Sequence, residues 1–203
     1  MPKDLMGDAD AIRTFIALEL PGSVRERLAQ WAEQLLAFWP EDALRSVRAD
    51  NLHLTLRFLG DTDQERLPEL VAGIETIAHQ QAAFEVTLDQ LGGFPNLRRG
   101  HVVWVGVAES GDDRMLQPLQ KQVERLARKL GWQRQRQAFT PHITVARVRG
   151  RGQHGRFGES GPPAVPEHSF DMTAMTLFRS DLAPAGAQYH VLHRAQFGAA
   201  RST

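Results

Sequence analysis

The chain has 203 residues, enough for one domain or two small lobes around a real core. Its 24 basic and 24 acidic residues cancel, and its apolar content of 42% is ordinary for a globular protein, so neither a polyanion-coating basic protein nor a disordered chain is indicated. There is no cysteine, which excludes disulfides, thiolate nucleophiles and Cys-based metal sites and fits a reducing, cytoplasmic setting; residues 1–11 are acidic and polar with no apolar leader, and no apolar run approaches bilayer length.

Arg13 to Leu20 (R-T-F-I-A-L-E-L) reads as a buried strand, broken by Pro21-Gly22. Ser23 is placed to open a helix, with Glu26 completing a capping box. Val24, Leu28, Trp31, Leu35 and Phe38 recur at helical spacing and form its core face, and Pro40 ends it. A short strand is expected over Leu44 to Arg48.

Next comes Asn51-Leu52-His53-Leu54-Thr55-Leu56-Arg57-Phe58-Leu59-Gly60, read as a strand. Strict alternation puts Leu52, Leu54, Leu56 and Phe58 on a core face and His53, Thr55 and Arg57 on the other. Thr62 and Glu65 suggest a second capping box, opening a helix that runs to about Ala78. Phe84 to Leu91 and His101 to Val107 read as two strands of a hairpin around the turn cluster Gly92 to Asn96. A third helix is expected from about Asp112 to Leu130, closed by Gly131.

A second copy of the earlier pattern comes after it. Thr140-Pro141-His142-Ile143-Thr144-Val145-Ala146-Arg147 again sets a His and a Thr two apart on a strand face, backed by apolar residues. One H-x-T is commonly just the wet face of a half-buried strand; two copies in matching strand contexts point to a shared site. The segment 114–156 carries eleven Lys or Arg and a single acid, Glu124, which suggests an anionic ligand. Gly150 to Pro166 is rich in Gly, Arg and Pro and is read either as a lid beside the second motif or as an insertion without a role. Phe170 to Ser180 and Gln188 to Phe197 complete the chain as two strands joined through Ala183 to Gly186.

The short spacings favour antiparallel pairing and an α+β fold. The two H-x-T strands form a weak internal repeat. They predict two lobes related by a pseudo-twofold axis, each an antiparallel sheet flanked by helices, with the motif faces lining a cleft. Residues 1–203 are taken as one such bilobal domain.

Two imidazoles without a nucleophilic Ser or Cys suit paired general acid–base catalysis, because an ordinary His titrates near 6.5. A Thr hydroxyl beside each His can donate to a phosphoryl oxygen, and Arg147 can balance growing negative charge. This set suits in-line attack on a phosphodiester. A metal site is disfavoured, since neither H-x-T has a second ligand at suitable spacing, and His190 and His193 are expected on opposite strand faces. No G-x-S-x-G elbow supports a serine triad.

The residues also carry a family resemblance. R-T-F-I-A-L-E-L-P at 13 to 21, N-L-H-L-T-L-R-F-L-G at 51 to 60, G-G-F-P at 92 to 95, V-W-V-G at 103 to 106 and F-T-P-H-I-T-V-A-R at 139 to 147 resemble the 2H phosphoesterase superfamily. L-F-R-S-D-L, Gly186 and Tyr189 extend the match, which is nearest to the LigT-like RNA 2',3'-cyclic phosphodiesterases, also called 2'-5' RNA ligase-like proteins. The resemblance implies hydrolysis of a terminal ribose 2',3'-cyclic phosphate to a 2'-phosphate, without a metal or other cofactor. It implies His53 as proton donor, His142 as proton acceptor, and Thr55, Thr144 and Arg147 as phosphate-binding groups. The sequence by itself does not decide which His is acid and which is base.

The expected partner is RNA with a 2',3'-cyclic phosphate end, with tRNA fragments and small cyclic nucleotides as candidates. A monomer without membrane contact is expected. Reversible 2'-5' ligation and a non-catalytic RNA-end-binding module are the alternatives. Tyr189 or Phe58 is available to stack a terminal base, with core packing as the plainer reading of each.

Overall fold

The computed structural model describes residues 11–109, 114–150, 155, 161–183 and 186–198. Most of the expected lid, with Arg151 and Arg156, lies outside these residues, as do the N-terminal segment, the start expected for the third helix, and Pro184-Ala185.

The strands are β1 (Ala11–Glu19), β2 (Leu44–Ser46), β3 (His53–Asp63), β4 (Phe84–Phe94), β5 (Val102–Glu109), β6 (His142–Val148), β7 (Ser169–Met172), β8 (Ala174–Ala183) and β9 (Gly186–Gln196). The α-helices are α1 (Gly22–Gln34), α2 (Leu67–Gln80) and α3 (Leu116–Lys129). The strands form one sheet in the order β7-β4-β5-β6-β3-β1-β8-β9, with β2 paired to β6. Every pairing between named strands is antiparallel, as the short connections predict.

The two H-x-T strands are central neighbours. Outward from β3 run β1, β8 and β9; outward from β6 run β5, β4 and β7. The α+β, two-lobed expectation holds, with the two lobe sheets fused into one. The seam is thin: β3 and β6 pair through Leu54 and Ile143, both fully buried.

The helices cover one face. α1 packs behind β6 and β2, while α2 and α3 pack on each other and behind β3, β8 and β9. Leu18, Leu28, Leu70, Ile74, Leu119 and Val123 are among the fully enclosed residues between helices and sheet. The opposite face carries a small second cluster, Phe15, Ala17 and Phe178, with Tyr189 against it.

Helix ends depart from expectation at two of three starts. α1 has no side-chain cap: the Pro21 carbonyl accepts from the Val24 and Arg25 amides, so Ser23 sits inside the helix. Thr62 is buried in β3, where its hydroxyl meets that of Thr14 at 2.8 Å, so it cannot cap α2. A short 3-10 turn, Gln64–Arg66, leads into that helix instead. The end of α3 is as predicted. Gly131 takes φ +93°, its amide bonds the Arg128 carbonyl, and the Trp132 amide reaches Ala127, a Schellman closure.

Candidate active site

His53 and His142 line one pocket of about 690 Å³ on the helix-free face. The strand pattern puts them there. Leu54 and Ile143 face each other and turn inward to the core, so the residues flanking them turn to the pocket. The antiparallel register sets His53 beside Thr144 and Thr55 beside His142. Thr55, Thr144 and Arg147 line the same pocket, so all five expected site residues converge.

Both imidazoles are held the same way. Nδ1 of His53 lies 2.8 Å from the Asn51 carbonyl, and Nδ1 of His142 lies 2.7 Å from the Thr140 carbonyl. A carbonyl only accepts, so Nδ1 carries the proton and Nε2 is the free basic nitrogen of each neutral ring. At His53, that nitrogen accepts from the Thr55 hydroxyl at 3.0 Å.

Burial depresses both imidazoles. His53 is pushed down to about 4, chiefly by loss of hydration; the Asn51 carbonyl works against this, and the positive charges of Arg147 and a protonated His142 add to it. His142 is also lowered, by burial first and then by Arg147, with the Thr140 carbonyl opposing. Both rings are therefore neutral at pH 7 in the free protein.

A β-bulge interrupts each motif strand just past its Thr. Leu56 is an extra residue in the β3–β1 ladder, and Val145 is an extra residue in the β6–β5 ladder. Each bulge puts two consecutive side chains on the core side and re-aims the next one to the pocket. Strict alternation is thus corrected at two positions. Arg57 contributes to the pocket lining but does not stand free on the His53 face: it is buried, with its guanidinium ion-paired to Glu124 of α3 at 2.8 Å. Phe58 faces the pocket and is 59% exposed, instead of packing in the core. By the same shift Arg147 reaches the pocket in the other lobe. Phe58 and Arg147 occupy equivalent positions, so the pseudo-symmetric frame offers a phenyl ring on one side and a guanidinium on the other.

An aromatic wall stands behind His53. Its ring lies 4.8 Å from Phe15 and 5.2 Å from Tyr189, and Phe15 lies 5.7 Å from Phe58. Tyr189 belongs partly to this cluster, as the packing reading expects, and also lines the pocket. Behind His142 stand Phe94 at 5.0 Å and Trp104 at 5.8 Å.

Sequence reasoning missed Asn51, Phe94, Gln135 and Gln137, which also line the pocket. The two glutamines lie in Q-R-Q-R-Q at 133–137, a run whose alternation is visible in the sequence. The Arg57–Glu124 pair pins that run: Arg57 Nη2 donates to the Gln133 carbonyl, and the Gln135 amide donates to Glu124 at 3.1 Å. The basic segment is only partly a ligand surface. Lys121, Arg125, Arg128 and Lys129 lie on the exposed side of α3, and of the segment's cations only Arg147 lines the pocket among the described residues.

His190 and His193 are not on opposite faces. A bulge at Leu192 sets them opposite Arg179 and Leu177, on one face of β8–β9. Each has its own carboxylate, Asp181 at 3.3 Å and Glu75 at 2.6 Å. Among the described residues, no three His, Asp or Glu side chains converge as a metal would require. No described helix is long and apolar enough to cross a membrane.

The arrangement resembles known proteins in sequence and shape. The family model described as LigT like Phosphoesterase matches residues 18–104. The RNA 2',3'-cyclic phosphodiesterase of Escherichia coli K12 is 33% identical over 184 residues, spanning 90% of this chain and 94% of the relative. This chain belongs to the LigT-like phosphoesterase family. The RNA 2',3'-cyclic phosphodiesterase of Thermus thermophilus is 32% identical to this LigT-like chain over 191 residues, 90% of the chain and 89% of the relative. The crystal structure of E. coli LigT complexed with 3'-AMP superposes with a TM-score of 0.74 at 31% identity, covering 93% of the chain and 99% of LigT. TT0787 of T. thermophilus gives the same TM-score at 27% identity, again covering 93% and 99%.

Proposed function

We propose that this LigT-like protein hydrolyses the terminal 2',3'-cyclic phosphate of RNA to a 2'-phosphate by two-histidine general acid–base catalysis. The observation that carries the reading is the pair of imidazoles in one pocket, each with Nδ1 tied to a carbonyl and Nε2 left for a proton transfer. The named activity of relatives matched over nearly their whole length supports the same reaction.

The cyclic phosphate sits between the rings. His142 Nε2 takes a proton from water as its oxygen attacks phosphorus. The bond from phosphorus to the ribose 3'-oxygen breaks on the opposite side, and His53 Nε2 delivers the proton that oxygen needs. The phosphate remains on the 2'-oxygen, and the two rings exchange their protons with solvent before the next cycle. Arg147 and the Thr55 and Thr144 hydroxyls hold the non-bridging oxygens, where negative charge is greatest in the transition state. The reaction uses only side chains and water.

The depressed imidazoles set a condition on this cycle. A donor that titrates near 4 in the free protein is deprotonated at pH 7. The incoming phosphate anion supplies the missing attraction for a proton: it offsets Arg147 and raises the affinity of both rings for protons. Substrate binding thus charges its own acid.

Phosphorus NMR of an oligonucleotide ending in a 2',3'-cyclic phosphate tests the reaction. Loss of the strained cyclic resonance and growth of a 2'-monoester resonance is expected; a 3'-monoester or an unchanged spectrum would contradict it. The roles are tested with a substrate whose bridging 3'-oxygen is sulfur, a leaving group that needs no proton. His53→Ala should recover on that substrate and His142→Ala should not. The opposite pattern would reverse the assignment.

A further inference from the structure

Strand β2 lies along β6 on the edge that β3 also uses, just before the pocket-lining Val47, and its register sets Arg45 directly opposite Arg147. Directly opposed residues of an antiparallel pair share a face, with Cβ atoms about 4.5–5.5 Å apart, and like charges there repel. The alternation of β2 agrees: Leu44 is buried and Ser46 donates to Glu33 of α1, on the helix side, while Val47 lines the pocket. Arg45 therefore rises on the pocket side beside Arg147. Among the described residues no carboxylate pairs with either guanidinium, whereas Arg57, Arg179 and Arg194 each have one.

The far end of Arg45 is also placed. A Cβ built on Gly186 would lie 3.3 Å from Arg45 Nη2, and Gly186 has φ +116°. The next residue, Ala187, accepts from the Asn51 side-chain amide at 2.7 Å. The start of β9 thus closes over the rim and confines Arg45 between itself and Arg147. Glycine at 186 leaves room for the guanidinium.

We infer that Arg45 binds a second phosphate of the substrate: the phosphodiester that joins the terminal nucleotide to the rest of the RNA. This inference rests on the hydrolase reading only for the position of the terminal phosphate. Arg147 has the reacting phosphate within the pocket, and Arg45, on β2 between Arg147 and the start of β9, meets the next anion along the chain. The repulsion between the two arginines is relieved when both are occupied. A cyclic mononucleotide has no second phosphate and leaves Arg45 unpaired, so the pair selects RNA ends over free cyclic nucleotides.

The test is binding at equilibrium of two product-like ligands, a ribodinucleotide with a terminal 2'-phosphate and the corresponding nucleoside 2'-phosphate. The intact protein should prefer the dinucleotide. Arg45→Gln should reduce that preference about tenfold and flatten the dependence of log K on log salt by about 0.7, the loss of one phosphate contact on a single strand. Arg45→Lys should retain most of the salt dependence. A dinucleotide whose internal linkage is an uncharged methylphosphonate probes the same contact with no change to the protein, and it should lose the preference. Equal binding of the phosphodiester and methylphosphonate dinucleotides would overturn the inference, as would an Arg45→Gln variant that weakens both ligands alike. The hydrolase reading fails separately: binding with this preference but no turnover of the cyclic-phosphate dinucleotide would retire the catalysis and leave the second phosphate site standing.

Discussion

Leu54 of β3 faces Ile143 of β6, and through this pairing the two lobes meet. The pair lies directly behind the four His and Thr side chains, so its packing sets the spacing of the two imidazoles. Leu54→Ala leaves a cavity in a fully buried position and should cost about 3 kcal/mol, read by urea unfolding. Turnover measured where the variant is still folded should fall as well, since a misplacement of about 1 Å can cost about a hundredfold. Normal turnover in a destabilised Leu54→Ala would separate the seam from the site.

The depressed His53 makes stability depend on pH with a defined sign. In the unfolded chain its imidazole titrates near 6.5, and in the fold at about 4. The unfolded state binds the extra proton between those values. The contribution is therefore complete above pH 6.5 and is lost as pH falls through 4, up to about 3 kcal/mol. His53→Gln should flatten that part of the profile, measured by denaturant unfolding from pH 7 to 4.

The same residue should report the ligand. Proton NMR of the His53 ring should give a titration near 4 in the free protein and a clearly higher one with a nucleoside 2'-phosphate bound. An unmoved titration would contradict substrate-assisted protonation of the acid.

Arg57 and Glu124 form a largely enclosed ion pair that fastens the 133–137 wall of the pocket. Arg57→Ala strands the Glu124 carboxylate and should cost about 3–5 kcal/mol. Arg57→Met combined with Glu124→Leu removes both charges and should recover most of that loss. The double variant should still bind substrate weakly, because Gln135 and Gln137 lose their anchor.

Phe58 is exposed beside the site, where a ring has little to gain from packing. Phe58→Ala should leave the melting temperature nearly unchanged. It should weaken binding of a nucleotide by about 1–3 kcal/mol, the usual worth of a base stacked on an aromatic side chain. Equal binding by the variant would return Phe58 to a purely structural role.

Much of the fold was legible from periodicity, and the site from repetition. His53 and His142 are 89 positions apart, yet each lies in the same strand pattern with the same Thr. What the pattern could not reveal is bulges. A strand read by twos puts Arg57 free beside the histidines and Phe58 in the core; one extra residue, Leu56, turns the Arg57 guanidinium to Glu124 and Phe58 to the pocket. Leu192 does the same for His190 and His193. Bulges depend on the partner strand, so they leave no mark in the strand's own sequence. The two missed helix starts have a similar cause. Thr62 has the composition of a cap, but a buried partner on β1, Thr14, claims its hydroxyl. Arg45 was invisible for a third reason: its meaning lies in which residue it faces, and nothing near it in the chain reveals Arg147.

The central claim is that residues 53 and 142 act together on one phosphorus atom. Turnover of a 2',3'-cyclic-phosphate oligonucleotide by His53→Ala, His142→Ala and the double variant tests it most directly, with folding checked by circular dichroism. Each single variant should lose at least about a hundredfold in kcat. The double variant should lose far less than the product of the two single losses, as expected for groups that act as a unit. Near-wild-type kcat in either folded single variant would contradict the account.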